Sequence, residues 1–292
     1  MPPLNSSMQG KICMVTGANS GIGKATALAL AQMGATVVMV CRDRARGEQA
    51  RSEITTTSRN NAVDLLLADL SSQQSIRQLV ENFQHHYTRL HVLINNAGAT
   101  FSGRRETVDG LEMMFAVNYL APFLLTNLLL DVLKAGAPAR IVNVSSAAQA
   151  SGSIQLDDLQ EEQHFSSMRA YGQSKLAMVL FTYELARRLQ GTGVTANCLD
   201  PGFVATNIGQ RGASLPVRLL VKLIWSFGAS PEKGATTSIY LASSPEVEGV
   251  TGQYFAKSMP RRSASSSYDE SLQRHLWEQS AQLVNLELPN LS

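Results

Sequence analysis

Short apolar runs alternate with longer helical stretches from residue 12 to residue 199, and this rhythm confines the chain to one fold class. Ile12–Thr16, Thr36–Cys41, Val63–Ala68, Val92–Asn95, Arg140–Val144 and Val194–Leu199 are strand-length and rich in Val, Ile and Leu. Strands this apolar are buried on both faces, as in a parallel sheet covered by helices. Between them lie helical segments at Lys24–Met33, Arg44–Thr55, Ser75–His86, roughly 112–134 and Tyr171–Leu189. In the third, Ile76, Leu79, Val80 and Phe83 share one face at helical spacing. Joined by right-handed crossovers, such units give an α/β, doubly wound parallel sheet. We expect one domain over residues 1–292, with about seven strands and helices on both faces.

Composition narrows the function classes. With 292 residues, 44% hydrophobic and 16% charged, the chain can bury a sizeable core. Lys+Arg number 25 against 23 Asp+Glu, so no basic field calls for nucleic acid. Cys13, Cys41 and Cys198 form no CxxC pair and read as buried free thiols in a reducing compartment. Residues 1–9 are polar, without the charged and apolar regions of a signal peptide. No apolar run is long enough to predict a transmembrane helix, so a cytoplasmic location is expected. The five histidines show no ligand spacing, so no metal site is expected, and His85-His86 reads as a solvated helix end.

Two segments break the rhythm, Ser151–Arg169 and Phe203–Ser230. Loops of this length are usually binding segments or lids. The second, taken as a substrate lid over 203–230, contains the amphipathic stretch Leu215–Trp225. Ser230-Pro231-Glu232 then starts a helix, with Ser as cap and Pro in the first turn. A last amphipathic helix is expected over 269–284, anchored by Leu272, Leu276 and Leu283.

Thr16-Gly17-Ala18-Asn19-Ser20-Gly21-Ile22-Gly23 joins the first strand to the first helix. Glycines let the backbone approach a pyrophosphate, and the helix start offers free N–H groups. Gly17, Asn19, Ser20, Gly21, Ile22 and Gly23 are therefore expected to cradle a dinucleotide on a Rossmann-like sheet. The second strand ends Cys41-Arg42-Asp43. Arg42 there can fork onto a 2′-phosphate, which favours NADP(H) over NAD(H). In the other reading Arg42 is solvated and Asp43 serves the ribose. Asp69, before Leu70, either accepts a bond from the adenine amino group or caps the following helix. Asn96, Ala97 and Gly98, after Asn95, leave room for the adenine ribose, and Asn side chains there can tie neighbouring strands.

Tyr171-Gly172-Gln173-Ser174-Lys175 opens the long helix, and positions i and i+4 share a face. An ammonium beside a phenol favours the phenolate, and a phenol so tuned can exchange a proton with substrate. Ser145-Ser146 ends the fifth strand, where open α/β sheets bind their ligands. A serine there can hold a carbonyl oxygen beside the phenol or simply cap a turn. Asn118 lies inside the 112–134 helix, where Asn is a poor former; it holds a proton-relay water or faces solvent.

These motifs, Thr-Gly-x-x-x-Gly-x-Gly and Tyr-x-x-x-Lys, resemble those of the short-chain dehydrogenase/reductase superfamily over residues 9–257. The resemblance implies Asn118, Ser146, Tyr171 and Lys175 as a catalytic tetrad, with Tyr171 and Lys175 also touching the cofactor. It implies that the turn Pro201-Gly202-Phe203-Val204-Ala205-Thr206 reaches the nicotinamide, through Pro201, Gly202, Val204 and Thr206. The gap from Ser146 to Tyr171, the segment from Gln190 and the closing helix look like the retinol dehydrogenase-like branch, which typically prefers NADP(H). The implied activity is hydride transfer between nicotinamide and a lipophilic small-molecule carbonyl or alcohol. Double-bond reduction of the protochlorophyllide type and a non-catalytic dinucleotide sensor are the alternatives. Relatives often form homodimers through the helix carrying the tyrosine; Leu176, Val179, Leu180 and Tyr183 could form that face, or could cover the sheet instead.

Overall fold

A computed structural model describes residues 7–202 and 229–287. The strands are β1 Ile12–Thr16, β2 Thr36–Cys41, β3 Val63–Leu67, β4 Val92–Asn95, β5 Ala139–Val144, β6 Val194–Asp200, β7 Tyr254–Ala256 and β8 Met259–Arg261. They form one sheet in the order β3-β2-β1-β4-β5-β6-β7-β8. All neighbours run parallel except β7 and β8, an antiparallel hairpin. The sheet thus has one strand more than the pattern suggested. β8 is exposed throughout and carries Pro260, so it has no apolar signature, as befits a protected edge.

The helices are α1 Gly21–Gln32, α2 Arg44–Ser58, α3 Gln73–His86, α4 Met113–Phe115, α5 Ala121–Leu128, α6 Leu130–Ala135, α7 Ser167–Arg188, α8 Pro231–Ser243 and α9 Glu270–Leu283. Alternate strand residues feed two cores. Cys13, Val15, Val37 and Met39 pack with α1, α2 and α8 residues such as Leu30, Ile54 and Leu241. Met14, Val38, Val40 and Leu93 pack on the other face with Phe83, Phe123, Phe181 and Trp277 from α3, α5, α7 and α9. Each fully buried aliphatic or aromatic side chain contributes roughly 1.5–3 kcal/mol. The four expected α3 residues are the buried ones of that helix.

Where 112–134 was expected as one helix, α4 and α5 are joined by a π-helical turn at Ala116–Leu120, and α6 follows a break at Leu129. Such turns insert a residue without leaving a mark in composition. Ser230 caps α8 by accepting from Lys233 N, with Pro231 in the first turn, as expected. His85 and His86 are exposed in the last turn of α3. All three cysteines are buried and free. Burial pushes the Cys41 thiol up to about 11, and those of Cys13 and Cys198 to about 12.

Candidate active site

The chain reverses its direction of travel across the sheet between β1 and β4, and the strand ends there form a crevice. Thr16 sets its floor. Its hydroxyl donates to Ile94 O at 3.3 Å and accepts from Asn96 N and Ala97 N, each at 3.0 Å. Asn96 Nδ2 donates back to Thr16 O at 2.8 Å. The β1 and β4 ends are thereby locked side by side. Asn95 ties β4 to β5 through Asn143 Oδ1 at 2.8 Å, and Asn143 Nδ2 reaches Thr182 of α7 at 2.9 Å.

The glycine turn is built for a close approach. Gly17 has φ +69°, and a Cβ there would lie 3.1 Å from Ala97 Cα. At Gly23 a Cβ would lie 2.4 Å from both Gly17 O and Asn96 Nδ2. Ser20, exposed at the α1 N-cap, makes no capping bond with its side chain, and no acidic residue occupies the first turn. The leading N–H groups of α1 and its positive dipole end are thus left to an anion. This cradle fits the pyrophosphate of a dinucleotide. Asn19 is half-buried beside it, while Ile22 points into the fold.

Arg42, exposed at the tip of β2, pairs among the described residues with Asp69 Oδ2 at 3.9 Å. Asp43 is otherwise engaged: it caps α2 by accepting from Arg46 N at 3.0 Å, and that bond holds its carboxyl below the usual range. The capping role considered for Asp69 falls to Ser72, which accepts from Ser75 N. Asp69 Oδ1 instead takes bonds from Ser71 N and Ser71 Oγ, leaving Oδ2 toward Arg42. Leu70 is half-buried beside it.

Across the crevice stands α7. Tyr171 is half-buried, and its hydroxyl has no hydrogen-bond partner among the described residues. The other six tyrosine hydroxyls all have one: Asp64, Ser280, Ser263, Glu246, the Ser146 carbonyl and Ser263 N hold Tyr87, Tyr119, Tyr183, Tyr240, Tyr254 and Tyr268 respectively. Lys175 is 5% exposed, and its Nζ lies 5.7 Å from the Tyr171 ring centroid. Nζ donates to Val144 O at 3.1 Å and has no carboxylate partner among the described residues. A Cβ on Gly98 would sit 3.7 Å from this Nζ and 3.4 Å from Asn118 Oδ1, so the end of β4 meets both side chains.

Asn118 does not face solvent. It is wholly buried in the π turn, accepts from Ala99 N at 2.7 Å and donates to Ala99 O and Ser174 Oγ. Of the two serines, Ser145 is buried and donates to the Lys175 carbonyl at 2.8 Å. Ser146 is half-buried at the start of a 3₁₀ turn, Ala147–Ser151, where its oxygen accepts from Ala148 N at 3.2 Å. That turn packs on α7: a Cβ on Gly172 would be 3.4 Å from Ala148 O.

A family model described as short chain dehydrogenase matches residues 11–214. Human retinol dehydrogenase 14 is 46% identical over 96% of this chain and 88% of its own length. Human polyprenol dehydrogenase is 42% identical over 98% of this chain and 88% of its own. The crystal structure of an uncharacterized protein from Mycobacterium paratuberculosis superposes with a TM-score of 0.78, at 32% identity over 97% of each chain. The chain belongs to the short-chain dehydrogenase/reductase family. Within it, the chain is a retinol dehydrogenase-like oxidoreductase.

In this short-chain dehydrogenase, Pro201 and Gly202 follow β6 at the same edge of the sheet, with Gly202 N bonded to Asp200 Oδ1 at 2.9 Å. Val204, Thr206 and the Leu215–Trp225 stretch lie outside the described residues. Leu176, Val179, Leu180 and Tyr183 are buried within the chain, so they offer no face to a second copy. The reading in which they cover the sheet is the one the structure supports; α9 adds Trp277 against Phe181 and Phe123. No described helix is long and apolar enough to cross a membrane, and no described group of His, Cys, Asp and Glu could hold a metal. Sequence reasoning missed Thr16 as the pin between β1 and β4; its signal was a Thr ending a buried strand directly before the glycine turn. It also missed that Lys175 is held by Val144 O and Ser145 Oγ, a contact across 31 and 30 residues that no local pattern encodes.

Proposed function

We propose that the protein is an NADP(H)-dependent carbonyl reductase or alcohol dehydrogenase acting on a lipophilic substrate in the cytoplasm. The observation that carries the reading is the half-buried Tyr171, whose hydroxyl has no hydrogen-bond partner among the described residues, beside a buried Lys175 that has no acidic partner among them. A bound reduced dinucleotide supplies the hydride. Ser146 and Tyr171 donate hydrogen bonds to the carbonyl oxygen, and Tyr171 gives it a proton as the alcohol forms. Lys175 favours the resulting phenolate, would hold the ribose and passes a proton on to restore the Tyr171 hydroxyl, and Asn118 positions the water that resupplies Lys175. In the reverse direction the same groups take the proton from an alcohol.

A lipophilic substrate is supported by the relatives, since retinol and polyprenol are both isoprenoid alcohols. Three buried free thiols agree with a reducing compartment. The deciding experiment is NADPH consumption against a series of lipophilic aldehydes and ketones, with retinal included. Turnover of none of them defeats the proposal.

Arg42 supports a preference for NADP(H). Its pair with Asp69 is long and exposed at both ends, so it contributes little and leaves the guanidinium for a 2′-phosphate. Arg42→Ala is expected to weaken NADPH binding about ten- to hundredfold while leaving NADH binding unchanged. Titrating both cofactors against both proteins checks this, and an NADH preference in the unmutated protein contradicts it.

The two serines separate by role. Ser146→Ala should lower turnover about a hundredfold with NADPH affinity intact. Ser145→Ala should lower stability by about 1 kcal/mol through the lost bond to the Lys175 carbonyl. Steady-state kinetics and thermal melts on both variants test the assignment; exchanged outcomes would move the substrate contact to Ser145.

A further inference from the structure

The segment between β5 and α7 carries a charge pair that the proposed chemistry does not use. Glu161 is 2% exposed, and its carboxylate takes a two-pronged bond from Arg169, Nε to Oε1 and Nη2 to Oε2, each 2.8 Å. Ser166 N, at the α7 N-cap, also donates to Glu161 Oε2 at 3.3 Å. To make these contacts Glu161 adopts φ +48°, a left-handed conformation unusual for a side chain of this kind. Such strain persists only where surrounding contacts enforce it.

Those contacts join three pieces of the crevice. The neighbouring Gln160 accepts from Arg104 Nε through its carbonyl at 3.1 Å, and from Glu112 N through Oε1 at 2.7 Å. Gln173 Nε2 donates to Leu159 O at 3.1 Å, and its Oε1 accepts from Gln155 N at 3.2 Å. A Cβ on Gly152 would lie 2.4 Å from Gly172 O, so the start of the segment is seated on the residue after Tyr171. The 99–112 segment rises from the end of β4 and the 145–166 segment from the end of β5. Both leave the sheet at the carboxyl ends of its strands, the edge at which α7 begins and where Gly98 meets Lys175 beside Tyr171. Arg169 stands two residues ahead of Tyr171, and the preceding Met168 is 87% exposed.

We propose that Glu161 is a positioning residue that sets specificity: its fork to Arg169 fixes the 152–166 segment as one wall of the substrate cleft, and that wall receives the chain of a long substrate beyond its carbonyl. The inference rests on the carbonyl reductase reading. A wall remote from the reacting carbon contributes binding that is equal in ground and transition states, so it enters KM rather than kcat. A short substrate does not reach it.

The test compares Glu161→Gln, Arg169→Gln and the double variant with the unmutated enzyme, using decanal and propanal with NADPH. Glu161→Gln should raise KM for decanal on the order of tenfold with kcat retained, and leave kcat/KM for propanal and NADPH affinity unchanged. Arg169→Gln should match it, and the double variant should be no worse than either alone. Amide hydrogen exchange over 152–166 should quicken in the variants, a readout independent of turnover. Equal losses on both aldehydes, which general destabilisation would give, overturn the proposal, as does an unchanged decanal KM or unchanged exchange. If the unmutated enzyme reduces neither aldehyde nor any other carbonyl tried, the carbonyl reductase reading fails, and this one falls with it.

Discussion

Tyr171→Phe is expected to bind NADPH as the unmutated protein does and to turn over its substrate a thousandfold or so more slowly. The estimate follows from removing a positioned proton donor, worth about 10²–10⁴ in rate, while the ring and its packing stay in place. Tyr171 is well suited to this separation. Its hydroxyl holds no other described group, so its loss leaves no protein donor or acceptor unpaired. The other buried tyrosines would behave differently. Tyr119 bonds Ser280 of α9 and Tyr183 bonds Ser263, and burial raises the pKa of both well above the usual tyrosine value. Phenylalanine at those positions should cost stability before activity. Fluorescence titration of NADPH beside steady-state turnover distinguishes the cases, and retained turnover in Tyr171→Phe removes the tyrosine from the mechanism.

The second large effect is expected at the glycine turn. Gly23→Ala places a methyl group 2.4 Å from the Asn96 side-chain amide and 2.4 Å from the Gly17 carbonyl oxygen, and the second, a backbone contact, is one that no side-chain rotation can relieve. The first turn of α1 must move off the Gly17 carbonyl, and the lock between Asn96 and Thr16 must open as well. Overpacking of this kind costs about 1–3 kcal/mol, and both responses displace the N–H groups that would face a pyrophosphate. NADPH binding should therefore disappear along with several degrees of thermal stability. Gly103→Ala is the matched control, since a Cβ there meets nothing within 4 Å, and it should be close to neutral. Normal NADPH affinity in Gly23→Ala would mean that the cofactor does not use this turn.

The parts of the molecule that the sequence made legible are those where one physical requirement acts over a few neighbouring residues. Doubly buried strands need aliphatic runs, and β1, β2 and β4 show them, whereas β3, expected to be buried on both faces, lies at the sheet edge with Asp64 exposed and Leu65 to Leu67 half-buried. The close approach at Gly17 and Gly23 excludes every other side chain, so the turn announces itself. Ser230 and Pro231 mark the α8 start because cap and first turn impose local chemistry. What was hidden depends on partners far along the chain. Asn118 looked like a poor helix former of open purpose, and its burial depends on a π turn that sets it against Ala99 and Ser174. Asp69 and Ser72 are both plausible caps by residue type; the difference is that Ser75 N reaches Ser72, while Ser71 claims Asp69. β8 lacks an apolar face because it meets water on its open edge.

From Gly172 to Ala186, every residue of α7 is buried. The helix that bears Tyr171 and Lys175 is enclosed by the sheet, by the turn around Ala148 and by α9. A rod so fully encased tolerates little drift: a change at nearly any of these positions meets packed neighbours. New substrate preferences are therefore most accessible through the strand-end segments above it, whose outward positions can vary while the proton-handling pair stays fixed beneath.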